Sequence, residues 1–142
     1  MISLIIGKKG TGKTKVLVQH VNDAVHVSSG NVVCVEKETK LTYDVNYRAR
    51  LVATDTFSIK GYDAFYGFLS GICAGDHDIT DIFVDATYRI ANDSDRTGEG
   101  LADFLAKVNE LSKISDTKFT FTISSDLEEL PESIFAFCEK LN

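Results

Sequence analysis

Gly7, Gly12, Lys13 and Thr14 occupy the fixed positions of the pattern G-x-x-x-x-G-K-[ST], in the run Gly7-Lys8-Lys9-Gly10-Thr11-Gly12-Lys13-Thr14. Each type has a distinct chemical job. The glycines, helped by Gly10, let the backbone take φ values closed to residues with a Cβ, so that successive N–H groups can point at phosphate oxygens. Lys13 would reach the β- and γ-phosphates as a point charge, and the Thr14 hydroxyl would ligate Mg²⁺. Lys8, Lys9, Thr11 and Lys15 complete the candidate phosphate-binding stretch. A helix starting at about Gly12 would add the positive end of its dipole.

A phosphate loop of this kind needs an acid at the carboxyl end of a neighbouring strand. Ile82-Phe83-Val84-Asp85 supplies an apolar run followed by a carboxylate, which makes Asp85 the candidate second metal-site residue alongside Thr14. Ala86 and Thr87 follow. Thr87 could hold a water, or simply end the strand. Phe119–Ile123 leads into Ser124-Ser125-Asp126, so Ser124 is a candidate for the γ-phosphate side, with helix capping as the plainer role. Arg48, Arg50, Arg89 and Arg96 could each stabilise charge on a transferring phosphoryl group, and Arg89 or Arg96 could do so in trans. A solvated surface role is the ordinary alternative for each. His20, His26 and His77 form no constellation.

The elements that must position these residues can be read from the apolar pattern. Ile2–Ile6 is an apolar, β-branched run, and helical spacing continues to about Val27 through Val16, Leu17, Val21, Ala24 and Val25. Val32–Val35 reads as a strand covered on both faces. Tyr43–Tyr47 could be a short helix or turn, and Arg50–Ala53 is a weaker strand. Gly61–Ala74 carries Ala64, Phe65, Phe68, Leu69 and Ile72 at helical spacing, with Gly75 as C-cap. Tyr62, Phe65, Tyr66 and Phe68 form an aromatic patch that reads first as core, with Tyr62 and Tyr66 able to face a partner. Arg89–Gly98 is polar, has little to bury and reads as a mobile loop. Leu101, Phe104, Leu105, Val108, Leu111 and Ile114 mark an amphipathic helix. Lys118–Ile123 alternates as a strand, and Pro131 opens a helix running to about Leu141. Strands therefore alternate with helices five times. The expected fold is α/β: a three-layer sandwich, with an about five-stranded, mainly parallel sheet and helices on both faces.

The 142 residues, 44% hydrophobic and 25% charged, suit one domain over residues 1–142 with a single core. A net charge of -6 argues against wrapping nucleic acid by charge alone, so nucleic acid is not indicated. No apolar run is long enough to span a membrane. Met1 leads directly into the first strand, which leaves no room for a signal peptide. Cys34, Cys73 and Cys138 sit far apart in apolar surroundings and read as reduced core thiols of a cytoplasmic protein.

Together, Gly7–Thr14, Ile82–Asp85 and Phe119–Ser125 resemble a minimal RecA/FtsK-like P-loop NTPase core, over nearly the whole chain. More narrowly, the sequence is similar to short stand-alone P-loop proteins of Gram-positive anaerobes labelled as twitching-motility PilT-type ATPases. The pilus motors themselves carry an added N-terminal domain and acidic and histidine boxes that this chain lacks. The resemblance implies ATP and Mg²⁺ as ligands, Lys13, Asp85 and Thr87 as candidate catalytic residues, and a sensor role for Ser124. Members with an extra strand between the P-loop and acid strands usually place a Glu after the acid, where this chain has Ala86. Lys8 falls where the deviant Walker A motif of partitioning ATPases has a lysine that crosses a dimer. Those proteins read Gly-Lys-Gly-Gly, and Lys9 departs from that pattern. Three functions follow as expectations: a slow or partner-activated Mg-dependent ATPase, a nucleotide-gated interaction module without significant hydrolysis, or a small-molecule kinase with a pocket from Thr39–Arg50. A homo-oligomer or an unidentified protein partner fits the first two.

Overall fold

The computed structural model describes residues 1–94 and 98–142. Six strands, β1 (Ile2–Gly7), β2 (Asn31–Glu36), β3 (Arg50–Ala53), β4 (Ile79–Val84), β5 (Lys118–Ser124) and β6 (Cys138–Lys140), form one sheet in the order β3-β2-β4-β5-β1-β6. Every pairing is parallel. Among the described residues four α-helices lie between strands: α1 (Lys13–Val27), α2 (Tyr62–Gly75), the single turn α3 (Thr87–Ile90) and α4 (Glu99–Ser115).

Strand side chains alternate between two apolar layers, as a period of two requires. On one face, Leu17, Val21 and Val25 of α1 pack with Ile5, Val32, Cys34 and Phe83. On the other, Phe65 and Leu69 of α2 and Leu101, Phe104, Leu105 and Val108 of α4 cover Ile2, Leu4, Val33, Ile82, Phe119 and Phe121. Phe65 and Phe104 stack at 4.8 Å between centroids, and Phe121 meets Phe104 edge-on at 5.8 Å. The expected three-layer α/β sandwich is therefore the observed one, with six strands in place of about five. No helix among the described residues is long and apolar enough to cross a membrane.

The sixth strand replaces the expected helix from Pro131. Only a 3₁₀ segment, Glu132–Ala136, forms there before β6 pairs Cys138 with Ile2. A short helix gains little alone. The open edge of β1, by contrast, offers unpaired backbone groups, and Leu141 N–H donates to Leu4 O at 2.8 Å. The Asn142 amide continues this pairing, accepting from Ile6 N–H and donating to Ile6 O.

Smaller differences have equally local causes. Gly75 is the last residue of α2, and the extended Asp76 is its cap. Ile114 is 83% exposed, off the apolar stripe of α4. In the polar stretch after β4, Ile90 and Ala91 are buried, so that segment is anchored at its start. The Tyr43–Tyr47 region is a turn held down by Leu41 and Val45, which leaves both tyrosines exposed. In the aromatic patch Phe65 is core, and the Tyr62 hydroxyl donates to Asp93 at 2.7 Å.

Candidate functional site

An all-parallel sheet gathers the carboxyl ends of its strands along one edge, and ligands of such sheets bind outside that edge. Here the edge carries the loop after β1, Glu36 at the end of β2, Asp85 after β4 and Ser124 at the end of β5. β5 lies between β1 and β4, so the loop and the acid must meet across it.

Gly10 and Gly12 both take φ +84°, the left-handed region where a Cβ is strained. These two positions turn the chain from β1 into α1. The loop closes on the Lys8 carbonyl, which accepts from Thr11 N–H at 3.3 Å, Thr11 Oγ1 at 2.7 Å and Lys13 Nζ at 2.9 Å. Lys13 is 9% exposed, a lysine drawn into the loop it belongs to. Lys9, Gly10, Gly12, Lys13 and Thr14 line a pocket of about 260 Å³ whose opposite wall is Asp85, Ala86, Tyr88, Arg89, Thr122 and Ser124.

Contact between the two walls is direct. Thr14 Oγ1 donates to Asp85 Oδ2 at 3.0 Å, and Thr122 Oγ1 donates to Asp85 Oδ1 at 2.8 Å. The Thr122 hydroxyl also accepts from Ala86 N–H at 2.9 Å. Asp85 N–H donates to Val35 O, which ties its backbone to β2. Ala86 itself has φ 71° and ψ 55°, a left-handed conformation for a residue with a Cβ. The Thr122 hydroxyl helps hold that turn in place.

The remaining candidates divide clearly. Gly7 ends β1, and Ser124 reaches the pocket. Lys8 is an exposed lysine ion-paired with Asp126 at 3.5 Å, and Lys15 is exposed on α1. Thr87 is fully buried, and its Oγ1 has no hydrogen-bond partner among the described residues. It is absent from the pocket lining, so of the two readings the water-holding one gains no support here, and instead of ending the strand Thr87 opens α3. Arg48 and Arg50 line a different cavity of about 450 Å³, floored by Val33, Val52, Phe68 and Ile72 between β3 and α2. That cavity does not include the loop, and the acid in its lining is Asp76 at the end of α2 rather than Asp85. Arg89 does reach the loop pocket. Arg96 lies outside the described residues, as does the centre of the Arg89–Gly98 stretch.

Two residues matter here that the sequence reading passed over. One is Thr122, which the Phe/Thr alternation of β5 turns towards α1 and away from the phenylalanine layer. The other is Glu36, 4% exposed, whose carboxylate accepts from Lys40 N–H at 2.9 Å and Leu41 N–H at 3.4 Å. Burial raises its pKa above the ordinary glutamate value; those two N–H groups pull it down, and the charge of Asp85 pushes it up again. Glu36 follows an apolar run, as Asp85 does, and that shared pattern was the available signal. Burial, with Glu36 and Asp85 adding, pushes the Cys34 thiol up to about 12, which keeps it un-ionised beside the site.

The fold and the loop together define a three-layer parallel α/β protein with a P-loop at the carboxyl edge of its sheet, consistent with a RecA-like P-loop fold. No protein-family model matches the chain, and no curated protein matches it. Among solved structures it is similar to the flagellar accessory protein FlaH of Methanocaldococcus jannaschii, with a TM-score of 0.58 and 16% identity. The match covers 95% of this chain and 65% of FlaH. At that identity the likeness speaks for the fold alone.

Proposed function

We propose that the chain binds ATP with Mg²⁺ at Gly7–Thr14 and hydrolyses it slowly or on activation by a partner. The observation that carries this reading is the hydrogen bond from Thr14 to Asp85 across the intervening strand. It sets a hydroxyl and a carboxylate side by side at the start of α1, next to a loop lysine. These are hard oxygen donors, suited to an ion that keeps most of its waters and takes few protein ligands. Magnesium, when bound there, neutralises charge on the β- and γ-phosphates.

The chain's own residues account for the rest. Gly10 and Gly12 shape the cradle, and Lys13 exchanges the Lys8 carbonyl for phosphate oxygens, which is a stronger, charge-assisted contact. Thr122 holds Asp85 from the far side, so the acid stays aimed at Thr14. Water attacks the terminal phosphorus, the bond to the bridging oxygen breaks, and fixed positive charge in the pocket stabilises the transition state.

Calorimetric titration of Mg-ATP tests the binding step. Lys13→Ala should weaken it at least about a hundredfold, the typical cost of deleting one partner of a buried charged contact. Equal affinity in wild type and variant would end the assignment.

Ala86 favours a second reading. Its methyl group stands where a water-orienting carboxylate would help hydrolysis, and a nucleotide-gated interaction module needs no such group. Phosphate release no faster than that of Lys13→Ala, with Mg-ATP still bound by wild type, would select this reading over the ATPase.

A further inference from the structure

Arg89 follows Asp85 by four residues, on α3, and its backbone is fixed there by the buried neighbours Thr87, Tyr88 and Ile90. Its side chain is half-exposed and borders two cavities. One is the loop pocket with Lys13, Thr14 and Asp85. The other is a polar basin of about 540 Å³ lined by Lys37, Tyr88, Asn92, Asp93 and Ser94. The guanidinium is turned aside, with Nη2 3.0 Å from Glu38 Oε1. Glu38 has other cations within reach, Lys40 at 3.4 Å and Lys37 at 4.0 Å, and Lys37 is itself paired with Asp55 at 2.9 Å.

We propose that Arg89 reads the terminal phosphate of a bound nucleoside triphosphate from within the same chain, and that Glu38 holds it aside until that phosphate arrives. The inference rests on the P-loop assignment and adds a residue-level account of how tri- and diphosphate are told apart. The exchange is easy on both sides. An ion pair with both partners half in water is weakly held, and Glu38 keeps Lys40 and Lys37 when Arg89 leaves. A terminal phosphate presents more charge than a carboxylate and suits the planar, two-pronged guanidinium. Lys13 approaches from the loop and Arg89 from the opposite wall, so the two cations would bracket the group that distinguishes ATP from ADP.

The test is the affinity for Mg-ATP and for Mg-ADP, by calorimetry, of wild type, Arg89→Ala and Glu38→Gln, with circular dichroism confirming that the variants fold. Arg89→Ala should weaken Mg-ATP about tenfold or more while changing Mg-ADP less than about twofold, because only the triphosphate offers the contact. Glu38→Gln should strengthen Mg-ATP a few-fold and leave Mg-ADP unchanged, since the competing carboxylate is gone. If wild type binds both nucleotides and neither variant alters their ratio, the role of Arg89 falls while the P-loop assignment stands. Equal weakening of both nucleotides by Arg89→Ala would likewise overturn it. If wild type binds neither nucleotide, both the P-loop assignment and this inference fail together.

Discussion

Glu36 loses nearly all contact with water on folding, and two backbone N–H groups only partly compensate its charge. Its folded pKa is raised, so the folded chain keeps this proton to higher pH than the unfolded chain does. As pH climbs from the ordinary glutamate range through the raised value, the unfolded state ionises first, and this residue's contribution to stability falls. Glu36→Gln keeps an acceptor for one N–H and removes the titration. Urea melts at about pH 4, below the ordinary glutamate value, and at about pH 7 should therefore show wild type losing more stability across the interval than the variant. Parallel slopes would remove Glu36 as the cause. The loop residues Gly7, Gly12, Lys13 and Thr14 were legible because phosphate chemistry demands those types at that spacing. Glu36 and Thr122 were not, because their roles depend on which strand lies beside which. Thr122 meets Asp85 only through the register that pairs Phe83 with Thr120 and Val84 with Phe121, and no local pattern contains that.

β5 is the element on which both layers and the site depend. Its phenylalanines face α2 and α4, and its threonines face α1 and the acid. Phe121 is fully buried against Phe65, Phe104 and Phe119. Phe121→Ala should cost about 3–5 kcal/mol, the usual range for emptying a buried aromatic site, read as a drop in the urea midpoint with the slope unchanged. A loss well under 1 kcal/mol would mean that the aromatic layer closes over the gap. Strands of continuous apolar or β-branched residues, such as Ile2–Ile6 and Val32–Val35, announced themselves. β6 did not. Ile134, Phe135, Phe137, Cys138 and Leu141 fit a helical stripe as well as an irregular edge, and what decides between them is the vacant edge of β1, a partner more than a hundred residues away in sequence. Gly75 and Ile114 show the same limit at helix ends, where one residue's placement depends on what packs beyond the helix.

At the scale of the whole molecule, the site joins parts of the chain that share little sequence neighbourhood: the first strand's loop, the end of β4 and the middle of β5. A ligand gripping all three should stabilise the folded state as a unit. At a hundredfold excess over its dissociation constant, Mg-ATP should add about 2.7 kcal/mol and raise the melting midpoint by several degrees. Lys13→Ala should melt at the same temperature with and without nucleotide. A ligand shift that survives in Lys13→Ala would place the binding surface elsewhere, and the cavity beside Arg48 and Arg50 would be the first place to look.

The position of β1 has a consequence for how the chain is made. Among the six strands β1 leaves the ribosome before the others, yet its neighbours on the two sides, β5 and β6, follow every other strand in the sequence. Throughout synthesis this most apolar strand waits with both edges unpaired, a state that invites mispairing with other chains. The Gly7–Thr14 loop that it anchors cannot be held against Asp85 until β5 has slotted between β1 and β4. On the proposed function, ligand competence would thus be acquired late and all at once, and a ribosome-bound chain stalled before Lys118 should carry the complete loop motif without a formed site.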